Sequence, residues 1–262
     1  GTGKTASAIW AADYLMTQKQ IRRVLVVCPL SIMDSAWRAD LFSFAMHRSV
    51  NIAYGNKKKR ADIINSGAEF VIINYDGVDI VKEEILNGGF DCIIVDEATH
   101  YKNAQTKRWK TLKKLISDDT WLWMMTGTPA AQSPLDAYGL AKLINPLNVP
   151  RFFGSFRDMV MWKVTQFKWM PKENASQIVH EVLQPAIRFT KEECLDLPDM
   201  VYVKRKVEMT KQQIKYYEEL RKKMVMQVED ESITAVNAAI VLNKLLQISS
   251  GAVYTDDSET LE

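Results

Sequence analysis

Short apolar runs and amphipathic stretches alternate along the chain up to about residue 125. The stretches show helical spacing and predict helices over 4–18, 33–46, 57–65 and about 76–86. The apolar runs predict buried strands, and they are Val24–Cys28, Val50–Tyr54, Phe70–Asn74, Phe90–Val95 and Trp121–Met125. Strands that alternate with helices are typical of a parallel sheet covered on both faces. The sequence therefore predicts an α/β fold with such a sheet.

The pattern changes after Pro134, where helices rich in Trp, Phe and Met replace the alternation. One strand-like run, Met200–Val207, precedes two long predicted helices over 210–229 and 233–248. The end of the chain, 256–262, is polar and acidic, as expected of a linker. We therefore predict three parts. They are an α/β lobe over 1–145, a mostly helical appendage over 146–255 and the acidic linker end over 256–262.

Composition narrows the class of protein without naming a function. The 262 residues are 47% hydrophobic, which is enough for a large core, and the net charge of +2 requires any nucleic-acid surface to be local. Cys28, Cys92 and Cys194 are far apart and lack Cys-x-x-Cys spacing, which argues against a disulfide framework or a zinc site. No apolar run reaches the ~18 to 20 residues of a membrane span. We expect a soluble, cytoplasmic protein with no membrane partner.

The chain opens on a phosphate-binding pattern, Gly1-Thr2-Gly3-Lys4-Thr5, at the start of the first predicted helix. The small residues at 1 to 3 let backbone N–H groups approach phosphate oxygens, and the positive end of the helix dipole faces the same charge. Lys4 is expected to neutralise the β- and γ-phosphates, with the Thr5 hydroxyl on Mg²⁺. A full loop of this kind begins before Gly1, so the sequence predicts a fragment of a longer protein.

An acidic pair, Asp96-Glu97, follows the predicted strand Phe90–Val95. A parallel strand delivers such residues to the carboxyl edge of its sheet, where ligands of α/β folds bind. We expect Asp96 to hold the Mg²⁺ shell through water, and Glu97 to orient and deprotonate the attacking water. The alternative is an exposed acidic turn without function. The order of the strings favours the catalytic interpretation, because the pair lies downstream of Gly-Lys-Thr.

A third string, Thr126-Gly127-Thr128-Pro129, follows the last predicted strand. With all three strings in place, the chain resembles the first RecA-like lobe of superfamily-two helicase-like ATPases. The DEAD/DEAH-like box is Asp96–Asn103, and the likeness is greatest to Swi/Snf-type translocases of double-stranded DNA. The resemblance implies a P-loop NTPase sheet, ATP and Mg²⁺ as cofactors, and a second lobe elsewhere in the parent chain. It also implies that Thr126, Gly127 and Thr128 couple hydrolysis to movement on DNA.

The resemblance extends to segments that contact DNA in the family. Val26–Ser31 with Trp37 looks like one such motif, and Val71–Tyr75 looks like the next. The residues that the resemblance assigns to DNA are Pro29, Ser31, Asn74, Tyr75, Lys102 and Asn103. After residue 186, Arg188–Lys191, Leu197-Pro198 and Thr210–Leu220 are similar to the helical protrusion that precedes the second lobe. The phrases at 96–103 and 130–135 resemble versions carried by bacteriophages, in which case the host cytoplasm is the setting.

Some residues depart from the family pattern, and some of the matching segments have simpler interpretations. Thr99, Gln132 and Phe189 stand where the family commonly has His, Asn and Arg. Ser31 would serve equally well as a helix cap, and Asn74-Tyr75 as a strand-end turn. The basic run 57–60 is interpreted as a solvated helix face rather than a nucleic-acid site.

Other functions share parts of the pattern. The rivals are a P-loop ATPase that remodels proteins without nucleic acid, and a DNA-binding module whose ATPase has decayed. The intact Lys4, Thr5, Asp96 and Glu97 argue against decay. A strand-separating helicase or a restriction motor uses the same lobe, and single-stranded nucleic acid is an alternative track. The resemblance implies that hydrolysis needs both lobes, so the isolated chain is expected to be nearly inactive.

Overall fold

The fold is that of a computed structural model, which describes residues 3–189, 191–194, 201–229, 235–251, 253–254 and 260–261. The chain divides into two compact units, Gly1–Asp196 and Leu197–Glu262. Among the described residues, no helix has the length and apolar character needed to cross a bilayer. The predicted phosphate-loop residues Gly1 and Thr2 lie outside the described residues, as do Leu197 and Pro198.

A parallel sheet is the centre of the first unit, and within the described residues it has five strands in the order β2-β3-β1-β4-β5. The strands are β1 (Val24–Cys28), β2 (Val50–Ala53), β3 (Phe70–Asn74), β4 (Cys92–Val95) and β5 (Trp121–Met124). Each of β1, β3 and β4 is a buried apolar run, as expected for strands covered on both faces. The predicted parallel α/β sheet is confirmed.

Helices cover both faces of this sheet. They are α1 (Lys4–Thr17), α2 (Ala39–Phe44), α3 (Lys57–Ile64), α4 (Tyr75–Ile80), α5 (Lys82–Asn87), α6 (Lys107–Leu115) and α7 (Ala137–Ile144). Short 3₁₀ helices span Leu30–Ile32, Ala98–Tyr101 and Pro134–Asp136, and a π-helical segment spans Met33–Arg38. The predicted helix over 33–46 is thus partly π-helical, and the one over 76–86 is split into α4 and α5.

Successive residues of each strand enter two separate apolar clusters, because side chains of a strand alternate between its faces. Val24, Val26 and Cys28 pack with α1 and Trp37 on one face. Leu25 and Val27 pack on the other face with residues of the helices that follow β3. The core is therefore two layers divided by the sheet, and its strands end together at one carboxyl edge.

The first unit extends well past residue 145. It continues with α8 (Phe153–Val160), β6 (Met161–Lys163), β7 (Trp169–Pro171), α9 (Ala175–Val182) and α10 (Lys191–Cys194). Phe156, Val160 and Val179 belong to the same buried cluster as Val27. The boundary predicted at 145 falls inside this unit, because these helices complete one face of its core. The antiparallel hairpin of β6 and β7 was not predicted.

The second unit contains two long helices, α11 (Lys211–Glu229) and α12 (Ala235–Ser249), which pack against each other. Two short strands, β8 (Val253–Tyr254) and β9 (Thr260–Leu261), pair in antiparallel fashion. The predicted strand Met200–Val207 is wrong over its described residues, since 201–207 have no regular structure. In the predicted linker end, 260–261 form β9, and the remaining residues lie outside the described ones.

Arg23 joins three backbone segments beside the amino end of β1. Its guanidinium donates to the carbonyl oxygens of Ala68 at 3.0 Å and Ile64 at 2.9 Å, and also to that of Gly88. The guanidinium carbon lies 4.4 Å from the centre of the Phe90 ring. Burial lowers the pKa of Arg23, an effect that the charge of Asp91 opposes. A planar fork with several donors can satisfy such divergent acceptors, whereas an ammonium group cannot.

We expect Arg23→Lys to lower the free energy of unfolding by about 2 to 4 kcal/mol, because buried carbonyl groups lose their charged donor. The neighbouring Arg22→Lys is the control, since the Arg22 side chain is 82% exposed and lies 3.7 Å from Asp91. It should change stability by less than about 0.5 kcal/mol. All seven tryptophans precede residue 170, so urea unfolding followed by tryptophan fluorescence reports on the first unit. Equal effects of the two substitutions would contradict the assignment.

Candidate nucleotide-binding site

The carboxyl ends of β1, β4 and β5 are joined through the acidic turn that follows β4. The backbone N–H of Asp96 donates to the Val27 oxygen at 2.9 Å, on the β1 side. On the β5 side, the N–H of Ala98 donates to the Met125 oxygen, and that of Met125 to the Val95 oxygen, both at 2.8 Å. The turn is therefore fixed to both neighbouring strands, at the sheet edge where α/β folds bind ligands.

Asp96 is 7% exposed and is held at three points. The indole N–H of Trp37 donates to Oδ2 at 2.9 Å, and the backbone N–H of Glu97 donates to Oδ1 at 2.9 Å. The Tyr75 hydroxyl donates to the backbone oxygen of Asp96 at 2.7 Å. Each carboxylate oxygen has two acceptor sites, so each keeps one for a further ligand. A rigid carboxylate with spare acceptor sites fits a role in a Mg²⁺ shell.

Glu97 combines an exposed side chain with an unusual backbone conformation. Its φ is 46° and its ψ is 56°, in the left-handed region, and it precedes the 3₁₀ helix Ala98–Tyr101. That region costs a residue other than glycine about 1 to 2 kcal/mol. Such strain persists where the surrounding bonds impose it and is common at functional sites. Here the bonds of Asp96 and Ala98 to the neighbouring strands impose it.

The start of α1 is open to an anion. Gly3 has a φ of 76°, which favours glycine, and no side chain caps the helix. Among the described residues, no carboxylate pairs with the Lys4 ammonium. A short connection joins the end of α1 to the amino end of β1, so α1 runs back along the sheet and begins toward its carboxyl edge. These features fit a phosphate group at Lys4 and Thr5.

Mg²⁺ at this edge would need ligands besides protein carboxylates. Among the described residues, no group of three or more His, Cys, Asp or Glu side chains could hold a metal ion. Mg²⁺ in nucleotide sites is commonly held by one or two carboxylates together with phosphates and water. The donor set of Thr5 and Asp96 fits that pattern.

The predicted coupling residues come directly after β5 and adjoin the acidic turn through the bond between Met125 and Ala98. Thr126 is half-buried, Gly127 and Thr128 are exposed, and the Thr128 N–H donates to the Thr126 hydroxyl at 3.2 Å. Within the described part of the chain, no hydrogen bond joins Thr99 to Thr126 or Thr128.

Of the residues predicted to bind DNA, Pro29 and Ser31 lie in the segment that directly follows β1. Ser31 is exposed and lies inside the 3₁₀ helix Leu30–Ile32, and its backbone oxygen accepts from the Ser35 hydroxyl at 3.0 Å. The Ser31 hydroxyl caps none of the helical segments that follow, so the capping alternative is wrong. The exposed hydroxyl stays a prediction for DNA contact.

Asn74 and Tyr75 differ from prediction because both side chains are buried. The Asn74 amide oxygen accepts from the Arg60 guanidinium at 2.9 Å, and the Tyr75 hydroxyl is bonded to Asp96. Their side chains therefore form hydrogen bonds inside the protein and are not available to contact DNA. Arg60 is also a correction, since the end of the predicted solvated run is only 5% exposed. It donates to the Ala53 and Gly55 oxygens at 2.7 and 2.8 Å.

Lys102 and Asn103 follow the acidic turn and make local contacts. The Lys102 ammonium lies 3.3 Å from the Asp136 carboxylate and donates to the Gln132 side chain at 2.9 Å. The Asn103 side-chain oxygen accepts from the Gln105 N–H at 2.9 Å, which forms a tight turn. Lys102 thus ties the acidic box to the segment after Pro129, and its role toward DNA stays a prediction.

Two groups beside Asp96 keep their protons because of their surroundings. Burial and the Asp96 charge raise the pKa of the Cys28 thiol to about 12, so it stays neutral. The same two causes raise the pKa of Tyr75, so its hydroxyl remains a donor to Asp96 throughout the physiological range. Sequence reasoning missed Trp37 and Tyr75 as partners of Asp96, because bonds across 59 and 21 positions leave no local signal.

The chain is similar to known proteins along most of its length. The protein-family model described as SNF2-related domain matches residues 1–250. Putative protein p41 of Acyrthosiphon pisum secondary endosymbiont phage 1 is 26% identical over 98% of this chain and 60% of its own length. The ISWI chromatin-remodeling complex ATPase ISW2 of Saccharomyces cerevisiae is 27% identical over 92% of this chain and 21% of its own length. The chain thus spans less than two thirds of these relatives.

A solved structure, the Sulfolobus solfataricus SWI2/SNF2 ATPase core in complex with double-stranded DNA, matches 94% of this chain and 51% of that chain. The TM-score is 0.58 and the sequence identity is 22%. The likeness confirms the RecA-like fold that the sequence predicts.

We expect Glu97→Gly to raise the free energy of unfolding by about 1 kcal/mol, because glycine adopts the left-handed conformation without strain. The matched control is Glu83→Gly in α5, where the side chain is 69% exposed and the backbone is helical. That substitution should destabilise by about 1 kcal/mol. Urea unfolding of both variants measures the difference, and destabilisation by both would argue against strain at Glu97.

Proposed function

Because this chain belongs to the SNF2-related domain family, we propose that it is the ATP-binding lobe of a motor that moves on double-stranded DNA. The observation that carries the proposal is the Asp96-Glu97 turn, which is bonded to β1 and β5 at the edge where α1 begins. A surface acidic turn without function would need neither the burial of Asp96 nor the strain of Glu97.

Each residue of the site has a distinct role in the proposed hydrolysis. Lys4 and the free N–H groups at the start of α1 bind the β- and γ-phosphates. Thr5 and Asp96 would hold Mg²⁺, which when bound would neutralise charge on the phosphates. Glu97 accepts a proton from the attacking water, for which its exposed side chain is suited.

Double-stranded DNA is the proposed track. The Sulfolobus solfataricus SWI2/SNF2 core was solved in complex with double-stranded DNA, and the yeast relative is a chromatin-remodeling complex ATPase. On this chain, the segment Pro29–Ser31 directly follows β1, whose backbone is bonded to Asp96, and its residues Leu30 and Ser31 are exposed. DNA bound at this segment would therefore lie at the end of β1, the strand adjacent to the one that ends at Asp96, the proposed metal ligand. Thr126–Thr128 adjoin the same turn from the β5 side.

Hydrolysis in the proposed motor also requires a second lobe. An arginine supplied across such a cleft contributes ~10³ to 10⁵ in rate in related phosphoryl-transfer enzymes. We expect the 262-residue chain alone to hydrolyse ATP at least ~10³-fold more slowly than the complete protein that carries it. Steady-state ATPase assays of both proteins at equal concentration measure the ratio of rates. Comparable rates would show that hydrolysis does not require a second lobe.

The central test is ATP hydrolysis by the complete protein without DNA, with single strands and with duplex. We expect strong stimulation by duplex, no turnover by Lys4→Ala or Asp96→Asn, and at least ~10²-fold slower turnover by Glu97→Gln with ATP binding retained. Glu83→Gln is the matched control, because that side chain is 69% exposed and pairs only with neighbouring Lys82 among the described residues. It should leave turnover unchanged.

Other results assign other functions. Stimulation by single strands alone would favour a strand-separating helicase, and hydrolysis indifferent to both would favour a remodeller of proteins. DNA binding without any hydrolysis would indicate a decayed ATPase. Normal turnover by Glu97→Gln would remove Glu97 from its role as the base.

A further inference from the structure

Two side chains from different segments hold Asp96, and neither has an assigned role in hydrolysis. We propose that Trp37 and Tyr75 are positioning residues that fix the Asp96 carboxylate and its turn for Mg²⁺ binding. The inference rests on the proposed function, since it concerns the same metal site. It assigns a purpose to two buried polar groups that the roles of Lys4, Thr5 and Glu97 leave unexplained.

Trp37 has a single polar atom, and that atom is directed at Asp96. The residue is fully buried, and its indole N–H donates to Asp96 Oδ2 at 2.9 Å. It lies in the π-helical segment Met33–Arg38, and π-helical turns are frequent at functional sites. Burying a large ring against the sheet fixes the direction of the N–H bond. Trp37 therefore selects one orientation of the carboxylate.

Tyr75 holds the backbone of the same residue from another direction. Its hydroxyl donates to the Asp96 oxygen at 2.7 Å, which restrains the peptide that leads into Glu97. The Tyr75 ring is itself fixed, since ring centres of His100 and Tyr101 lie 4.6 and 5.9 Å from its own. The two bonds therefore control different degrees of freedom, one the carboxylate torsion and the other the position of the turn.

The bonds leave the carboxylate able to bind a metal shell. Oδ2 accepts from Trp37 and Oδ1 from the Glu97 N–H, so one acceptor site on each oxygen stays free. Loss of the Trp37 N–H would leave the buried Oδ2 without its donor, and the carboxylate would then be held only at Oδ1 by the Glu97 N–H. Partners of metal-binding carboxylates typically contribute 10- to 100-fold to metal affinity.

The test uses substitutions that remove the donor atom, and Trp37→Phe also removes part of the ring, so each variant needs a control of the same residue type. Trp37→Phe removes the indole N–H, and Tyr75→Phe removes the hydroxyl. The chain supplies matched controls with equivalent bonds outside the site. The indole N–H of Trp109 donates to the Gly139 oxygen at 2.8 Å, and the Tyr138 hydroxyl donates to the Arg151 oxygen at 2.8 Å. The controls are therefore Trp109→Phe and Tyr138→Phe, made in the complete protein.

The readout is the Mg²⁺ concentration that gives half-maximal binding of a fluorescent, non-hydrolysable ATP analogue, measured by anisotropy. We expect Trp37→Phe to raise this concentration ~10-fold or more, Tyr75→Phe to raise it severalfold, and both controls to leave it unchanged. Asp96→Asn serves as the reference for loss of the metal ligand. Circular dichroism of each variant shows that the fold is retained.

Two results would overturn the inference while leaving the proposed function intact. In one, Trp37→Phe and Tyr75→Phe need the same Mg²⁺ concentration for half-maximal binding as the wild type, whereas Asp96→Asn needs a higher one. In the other, each control shifts as much as its site counterpart, which would indicate a loss of packing. A wild-type protein that binds the analogue equally with and without Mg²⁺ would instead overturn the proposed metal site, and the inference with it.

Discussion

A carboxylate can be buried only where hydrogen bonds replace the water that it loses. Asp96 meets this requirement with an indole donor and a backbone donor, and each carboxylate oxygen keeps one acceptor site free. The same residue is joined through its backbone to β1 and through its carbonyl to Tyr75. The candidate site is therefore centred on this one buried charge, and the backbone bonds that hold its turn between β1 and β5 also impose the left-handed conformation of Glu97.

The sheet supplies the rigidity that this arrangement needs. Strands β1, β3 and β4 are buried on both faces, and each layer of the core packs independently against its own helices. Residues that directly follow different strands therefore lie at the same edge of the sheet, although they are far apart in the sequence. Trp37 reaches Asp96 from the segment after β1, and Tyr75 reaches it from the end of β3. Both residues belong to motifs that the family resemblance associates with DNA, so the proposed metal site and the proposed track would share one scaffold.

The sequence predicts the elements whose signal is local. Val24–Cys28 and Phe70–Asn74 agree with the observed strands residue for residue, because a continuous apolar run bounded by polar residues specifies a buried strand. Met200–Val207 shows the limit of this signal. Its described residues are an apolar block over 201–203, a basic block over 204–206, and Val207. They have no partner strand among the described residues, and a strand needs a partner to satisfy its backbone.

The sequence indicates a chemistry for the candidate site but not the contacts of its residues. Lys4, Thr5, Asp96 and Glu97 follow from motif order, since each stands at a fixed place after a strand or at a helix start. Arg60 and Asn74 appeared to be a surface charge and a DNA contact, yet they bond to each other in the interior. Only the folded chain brings together partners so distant in sequence, and residue type alone does not distinguish them.

A crystal structure of the complete protein with Mg²⁺ and a non-hydrolysable ATP analogue tests the central claim most directly. The account predicts the β- and γ-phosphates at the start of α1 beside Lys4, with the metal between Thr5 and Asp96, and with the bond from Trp37 to Asp96 retained. Phosphates bound away from α1, or an Asp96 carboxylate turned away from the metal, would contradict it.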